Sequence, residues 1–154
     1  MSSVARQIFN ALQARQPEIE AFIQSLIETE SPSGDEQGSS AVVDLLVHNA
    51  SRLGCVDEIE RVDVPDFGQH LLIKAFQKQS NAGQILLVGH TDTVHARGSI
   101  VERPWRREAG RIYGPGIFDM KANCALAIEV LRALSELNGA PAFGVTLALT
   151  CDEE

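Results

Sequence analysis

The sequence predicts an α/β fold with a mixed sheet. Apolar residues recur at helical spacing in two early segments and one late one. Short strand-like runs lie between them. The inferred order is two helices, three strands, a loop, a helix and a strand, the mixed pattern in which sheet and helices share one core.

Ile19, Phe22, Ile23, Leu26 and Ile27 form one stripe of the first helix, and Pro17 suits its first turn. Ser31-Pro32-Ser33-Gly34 ends it in a loop, and Ser33 and Glu36 have capping-box spacing. Val42, Leu45, Leu46 and Leu53 continue as a second helix, with Gly54 as its stop. Val56 to Val64 and His70 to Phe76 read as strands joined by a turn at Pro65-Asp66-Phe67-Gly68. After a turn at Asn81-Ala82-Gly83, the run Gln84 to Gly89 is continuously apolar from Ile85 to Val88, as expected of a strand covered on both faces. Thr91 to about Ile112 reads as irregular. Met120, Cys124, Ala127, Ile128, Leu131 and Leu134 restore the helical period, Asn138-Gly139-Ala140-Pro141 stops it, and Phe143 to Leu149 is a buried-type strand.

The 154 residues amount to one domain or part of one. Thirteen basic residues against 21 acidic ones give a net charge of −8, which argues against a general nucleic-acid binder. The hydrophobic share of 44% and charged share of 22% exclude disorder and collagen-like repeats. No apolar run approaches the roughly 18–20 residues that span a bilayer, so no membrane partner is expected. Met1-Ser2-Ser3-Val4-Ala5-Arg6 runs into a polar helix-like stretch and lacks the apolar centre of a secretory signal. Cys55, Cys124 and Cys151 are odd in number and widely spaced, so a disulfide framework is not expected and the cytoplasm is the expected location. There is no internal repeat or interdomain linker. The sequence stops at Cys151-Asp152-Glu153-Glu154, directly after a strand, and the expectation is a truncated chain. A cut sheet with an unpaired edge and bare helix faces is expected to self-associate.

Three segments lie where sheet-borne active sites belong, just past strand ends or at a helix start. In His90-Thr91-Asp92, the imidazole could ligate a metal and Asp92 could orient it; the plain alternative is a loop histidine beside a turn aspartate. In Gly114-Pro115-Gly116-Ile117-Phe118-Asp119-Met120-Lys121, Asp119 could cap the following helix or bridge two metals. In Asp152-Glu153-Glu154, one carboxylate could ligate a metal while its neighbour serves as general base; the alternative is a solvated acidic loop. Oxygen and imidazole donors suit Zn²⁺, Mn²⁺ or Co²⁺. His48 reads as a surface residue, His70 as a strand-end residue, and His95 as a neighbour of His90. Cys124 reads as core and Cys151 as packing under the acidic motif. Trp105 with Arg103, Arg106 and Arg107 reads as a solvated charged loop, with a substrate rim as the alternative.

Taken together, Leu87-Val88-Gly89-His90-Thr91-Asp92-Thr93-Val94, Tyr113 to Lys121 and Thr150-Cys151-Asp152-Glu153-Glu154 resemble the three ordered motifs of the M20 metallopeptidases. Ser31 to Glu36 resembles that family's early loop. The family includes glutamate carboxypeptidase, acetylornithine deacetylase and succinyl-diaminopimelate desuccinylase, and the first two motifs look closest to the glutamate carboxypeptidase branch. The resemblance implies a truncated zinc-exopeptidase-like three-layer sandwich: residues 1–154 as the N-terminal portion of a catalytic domain, without the lid or dimerisation domain and the C-terminal catalytic portion. It implies metal ligands His90, Asp119 (bridging) and Glu154, a supporting Asp92, and Glu153 as general base, with two zinc ions per complete site (cobalt or manganese possible). The implied reaction is hydrolysis of a peptide or N-acyl amide bond next to a free carboxylate, so the implied partner is a small carboxylate-bearing peptide or N-acyl amino acid. The alternatives are a non-catalytic binding domain on the same fold and an N-deacylase of amino-acid metabolism. The full-length protein is expected to be a possible homodimer. Family members carry a further carboxylate ligand and a distal histidine downstream, so this stretch by itself is expected to bind metal weakly and not to turn over.

Overall fold

The structure is a computed structural model and describes residues 3–79, 81–137, 139 and 141–154. Met1 and Ser2 of the terminal segment, and Asn138 and Ala140 of the expected helix stop, lie outside the described residues. The elements are α1 (Ser3–Ala14), α2 (Gln16–Glu28), α3 (Glu36–Ala50), β1 (Val56–Val64), β2 (Gly68–Ala75), β3 (Gln84–His90), α4 (Ser99–Glu102), β4 (Arg106–Glu108), β5 (Arg111–Tyr113), α5 (Ala122–Glu136) and β6 (Gly144–Thr150). The expected α/β class and mixed sheet are both present. The main sheet runs β1-β2-β6-β3, antiparallel except for the parallel pair β3–β6.

Strand alternation decides which face meets the helices. Leu71, Ile73 and Ala75 of β2 and Val145, Leu147 and Leu149 of β6 point into one core. There they join Phe22, Leu26 and Ile27 of α2, Val42, Val43 and Leu46 of α3, and Cys124, Ile128 and Leu131 of α5. Two buried polar links brace this layer. Glu129 on α5 accepts from Arg15 between α1 and α2, at 3.2 Å, and from Arg132, at 3.1 Å. Lys121 sends its ammonium under the end of α2, donating to the carbonyls of Leu26 (3.1 Å) and Thr29 (2.7 Å). These carbonyls lack helical partners, so the amine satisfies them. Burial pushes the Lys121 amine down to about 8.

Several local expectations give way. The polar helix-like stretch near the N-terminus is the helix α1, whereas a short β4–β5 hairpin occupies the stretch read as irregular. Asp35, not Ser33, caps α3, accepting from the Gly38 N–H at 3.0 Å, while Glu36 reaches outward to the Asp66 N–H. Ser33 is drawn away because Asp92 offers its hydroxyl a buried acceptor. The C-cap of α3 is Ser51, not Gly54. The apolar run of β3 is not covered on both faces. It lies at the sheet edge with β6 as its partner, and Leu86 and Val88 are 62% and 65% exposed. Continuous apolarity reports what a strand is suited to meet, and within the described residues the helical layer shields only its Gly89–His90 end.

Leu46 is fully buried at the centre of the helical layer. Leu46→Ala is expected to lower unfolding free energy by about 2–5 kcal/mol through lost transfer energy and a residual cavity. Chemical denaturation checks this, and a loss below about 1 kcal/mol would show that the core is not packed there as described.

Candidate metal centre

The parallel pairing of β3 with β6 matches His90 with Thr150, so the two motif loops leave the sheet side by side. Thr91 then fastens one to the other, its N–H and hydroxyl both donating to the Thr150 carbonyl at 2.8 and 3.0 Å. On the other side the Ser31–Ser33 loop is stitched to the same segment. Ser31 donates its hydroxyl to the Thr91 carbonyl at 2.6 Å, and backbone bonds run from Thr93 to Ser31 and from Ser33 to Thr93. Farther along, the Glu30 carboxylate accepts from the N–H groups of Gly98 and Ile100, and Arg97 pairs with Asp35, which closes the loop onto the end of α2. Burial pushes the Glu30 carboxyl up, but these N–H bonds and the nearby Arg97 and Lys121 charges outweigh it and hold it below its usual range.

Asp119 is not a helix cap. It sits with extended backbone angles in a π-type turn, Ile117–Lys121, ahead of α5. The Asp119–Met120 peptide is cis. Gly116 opens that turn at φ 68°, and a Cβ there would meet the Thr93 methyl at 2.5 Å, so only glycine lets the second motif close on the first. Cys124, at the start of α5, donates its thiol to the His90 carbonyl at 3.2 Å; burial pushes that thiol up to about 12, so it stays a donor.

These supports bring the five residues singled out in the sequence to one place. His90 Nε2 lies 3.0 Å from Asp119 Oδ1 and 3.9 Å from Glu153 Oε2. Donor atoms of His90, Asp119 and Glu154 all lie within 4.8 Å of one another. Asp92 is buried beneath them. Its Oδ2 accepts from the Ser33 hydroxyl at 2.7 Å and from the Glu154 N–H at 3.0 Å. Its Oδ1 is buried without a hydrogen-bond partner and faces His90 Nδ1 at 3.4 Å, while Nδ1 is 3.1 Å from the Asp92 carbonyl. A proton on Nδ1 therefore satisfies this corner and turns the Nε2 lone pair toward the exposed carboxylates of Asp119 and Glu153. Two things can settle that 3.0 Å contact: a second ring proton, which makes it a hydrogen bond to Asp119, or a cation held between the two groups. The set fits a divalent metal: an imidazole oriented by a carboxylate, with oxygen donors opposite. His95 does not join it; its ring contacts Arg103 at 3.5 Å. Trp105 is half-buried against the core, and Arg107 pairs with Glu20, so neither lines this centre.

Burial pushes the His90 imidazole down, but the Asp119 hydrogen bond, the Asp92 carbonyl and the charges of Asp92 and Glu153 outweigh it and raise its pKa above the ordinary 6.5. The stability those contacts give the metal-free protein is therefore full below pH 6.5 and fades as pH rises through the raised value. Imidazole NMR titration of metal-free protein is expected to show a midpoint above 6.5; one at or below it would contradict this electrostatic picture. Asp92→Asn is expected to weaken metal binding about 10–100-fold, measured by competition with a chelator.

The sequence pattern of Peptidase family M20/M25/M40 matches residues 86–154. The chain is 28% identical over 147 residues to carboxypeptidase G2 of Pseudomonas sp. (strain RS-16), covering 96% of this chain and 35% of that protein. It is 32% identical over 146 residues to acetylornithine deacetylase of Aliivibrio fischeri (strain MJ11), covering 90% and 36%. The chain thus spans about a third of the length of these curated relatives. Its fold matches that of human carnosine dipeptidase 1 with a TM-score of 0.77 at 18% identity, over 95% of this chain and 34% of that one. With the three ordered motifs gathered on one sheet edge, the chain belongs to the M20 peptidase family.

Proposed function

We propose that this chain supplies part of the active site of a metal-dependent hydrolase that cleaves a peptide or N-acyl amide bond next to a free carboxylate. The observation that carries this reading is the convergence of His90, Asp119 and Glu154 donors within 4.8 Å, with the Glu153 carboxylate beside them. The family membership and the likeness to a carboxypeptidase support it.

His90, Asp119 and Glu154 would hold a pair of divalent ions, zinc by donor preference. Bound there, the ions would supply Lewis acidity for a water and for the amide carbonyl. The protein's own part is positional and protonic. Asp92 fixes the His90 tautomer and, by accepting the Glu154 N–H, the chain direction at Glu154. Glu153, more than half exposed and hydrogen-bonded to no other described residue, is free to take a proton from an attacking water at one carboxylate oxygen and return it to the leaving amine. The open face on the Asp119 and Glu153 side admits the substrate, while the His90 and Asp92 side is closed. Catalytic zinc sites take about three protein ligands each, more than His90, Asp119 and Glu154 supply to two ions, so further donors belong to the longer protein. The likeness to acetylornithine deacetylase favours a second reading, removal of an acyl group from an amino acid, by the same groups.

In the full-length protein, Glu153→Gln is expected to lower kcat by about 10²–10⁴-fold while leaving metal content unchanged. Parallel assays with an N-acyl glutamate, a dipeptide and an N-acetyl diamino acid separate the two readings. Full activity in the Gln variant would remove Glu153 from its role as base.

A further inference from the structure

His70 and Cys151 lie 81 residues apart in the chain, yet the β2–β6 register that pairs Leu71 with Leu149 brings them together beyond the strand end. His70 Nδ1 is 3.5 Å from Cys151 Sγ and 4.0 Å from Asp152 Oδ1, and the donor atoms of all three lie within 4.8 Å of one another. We propose that His70, Cys151 and Asp152 form a second cation site, mononuclear and selective for the zinc class of divalent metals, separate from the catalytic centre.

The spacing fits. Zinc bonds of about 2.3 Å to sulfur and 2.0–2.1 Å to nitrogen at a tetrahedral angle put those two donors about 3.5 Å apart, and the observed separation is 3.5 Å. Asp152 is the looser member, but its side chain is 37% exposed and a small rotation closes the gap. The tautomer fits as well. The Cys151 N–H donates to His70 Nδ1 at 3.3 Å, so the lone pair lies on Nδ1, on the side of the thiol, and the ring proton is on Nε2. The N–H contact is long, and a cation would take that lone pair in its place. Chemistry sets the class: thiolate, imidazole and one carboxylate favour zinc, cobalt or copper over magnesium and calcium. On binding, the Sγ–H bond breaks, a sulfur–metal bond forms and the proton leaves to solvent, with no change of oxidation state. The site would tie β2 to the segment carrying Glu153 and Glu154, so it would brace the third motif without touching substrate.

The thiol supplies a signature that His90, Asp119 and Glu154 lack, because none of these three donors of the catalytic centre is sulfur. The full-length protein loaded with Co²⁺ is expected to show a thiolate-to-cobalt charge-transfer band in the near ultraviolet. Cys151→Ser and His70→Gln are each expected to abolish it and to lower bound cobalt by about one equivalent per chain. Cys55→Ser retains the band, since neither Cys55 nor Cys124 belongs to such a cluster among the described residues. Saturation with cobalt without the band in the unaltered protein overturns the proposal, whatever the folding of the variants, as does a band that survives Cys151→Ser. The readout is independent of hydrolysis: failure of the catalytic reading would leave the band in place, and absence of the band would leave the assignment of Glu153 as base to be decided by its own variant.

Discussion

The centre depends on one buried carboxylate. Asp92 can only accept hydrogen bonds, and three segments far apart in sequence donate to it or face it: the Ser33 hydroxyl, the Glu154 N–H and the His90 ring. A charge taken out of water is costly unless it is surrounded by donors. The loops after β3 and β6 and the loop between α2 and α3 are thereby compelled to meet at one point. His90 inherits its orientation from that meeting, and so does the backbone that presents Glu154. The early serine loop, whose Ser33 hydroxyl also lies 3.1 Å from the Glu154 carbonyl, is as necessary to the geometry as the ligands are.

Around this point burial and exposure are divided by task. His90 and Asp92 are sealed, which lends their interaction the strength of a low-dielectric setting, whereas Asp119 and Glu153 stand open to solvent. A site made this way buries its anchor and keeps exposed carboxylates where a ligand arrives. The buried amine of Lys121 serves the same end from behind: by capping α2 it fixes the residue two places beyond Asp119 against the helical layer.

Much of this was legible before any coordinates. The three motifs each end a strand or open a helix, and residue type with order was enough to single out His90, Asp92, Asp119 and the triplet Asp152-Glu153-Glu154; the choice of Glu153 and Glu154 within it came from the family resemblance. The main strands were legible because alternation and apolar runs are local signals; the short β4 and β5 and helix α1 carry weaker ones. Partnerships that depend on register were not legible. Ser33 shows capping-box spacing with Glu36, and nothing local reveals that Asp92 competes for its hydroxyl. The burial of Lys121 follows only from the end of α2 lying over it, although a lone lysine between Met120 and the apolar stripe of α5 was a signal to weigh. His70 and Cys151 read as unrelated because their proximity exists only through the β2–β6 pairing. The run Ile85–Val88 announced an affinity for apolar cover but not which part of the molecule would supply it.

The in-step pairing of β3 with β6 has an evolutionary corollary. Each rung from Gln84–Gly144 to His90–Thr150 transmits position along the sheet without slack. Removing one residue from β6 would draw the acidic tail back by a rung, moving Glu154 into the place of Glu153 and Glu153 into that of Asp152. Lineages of this protein can therefore lengthen or shorten the loop before Gln84 or the hairpin between the first two motifs, but the span from Gly144 to Glu154 behaves as a ruler whose length selection must leave alone.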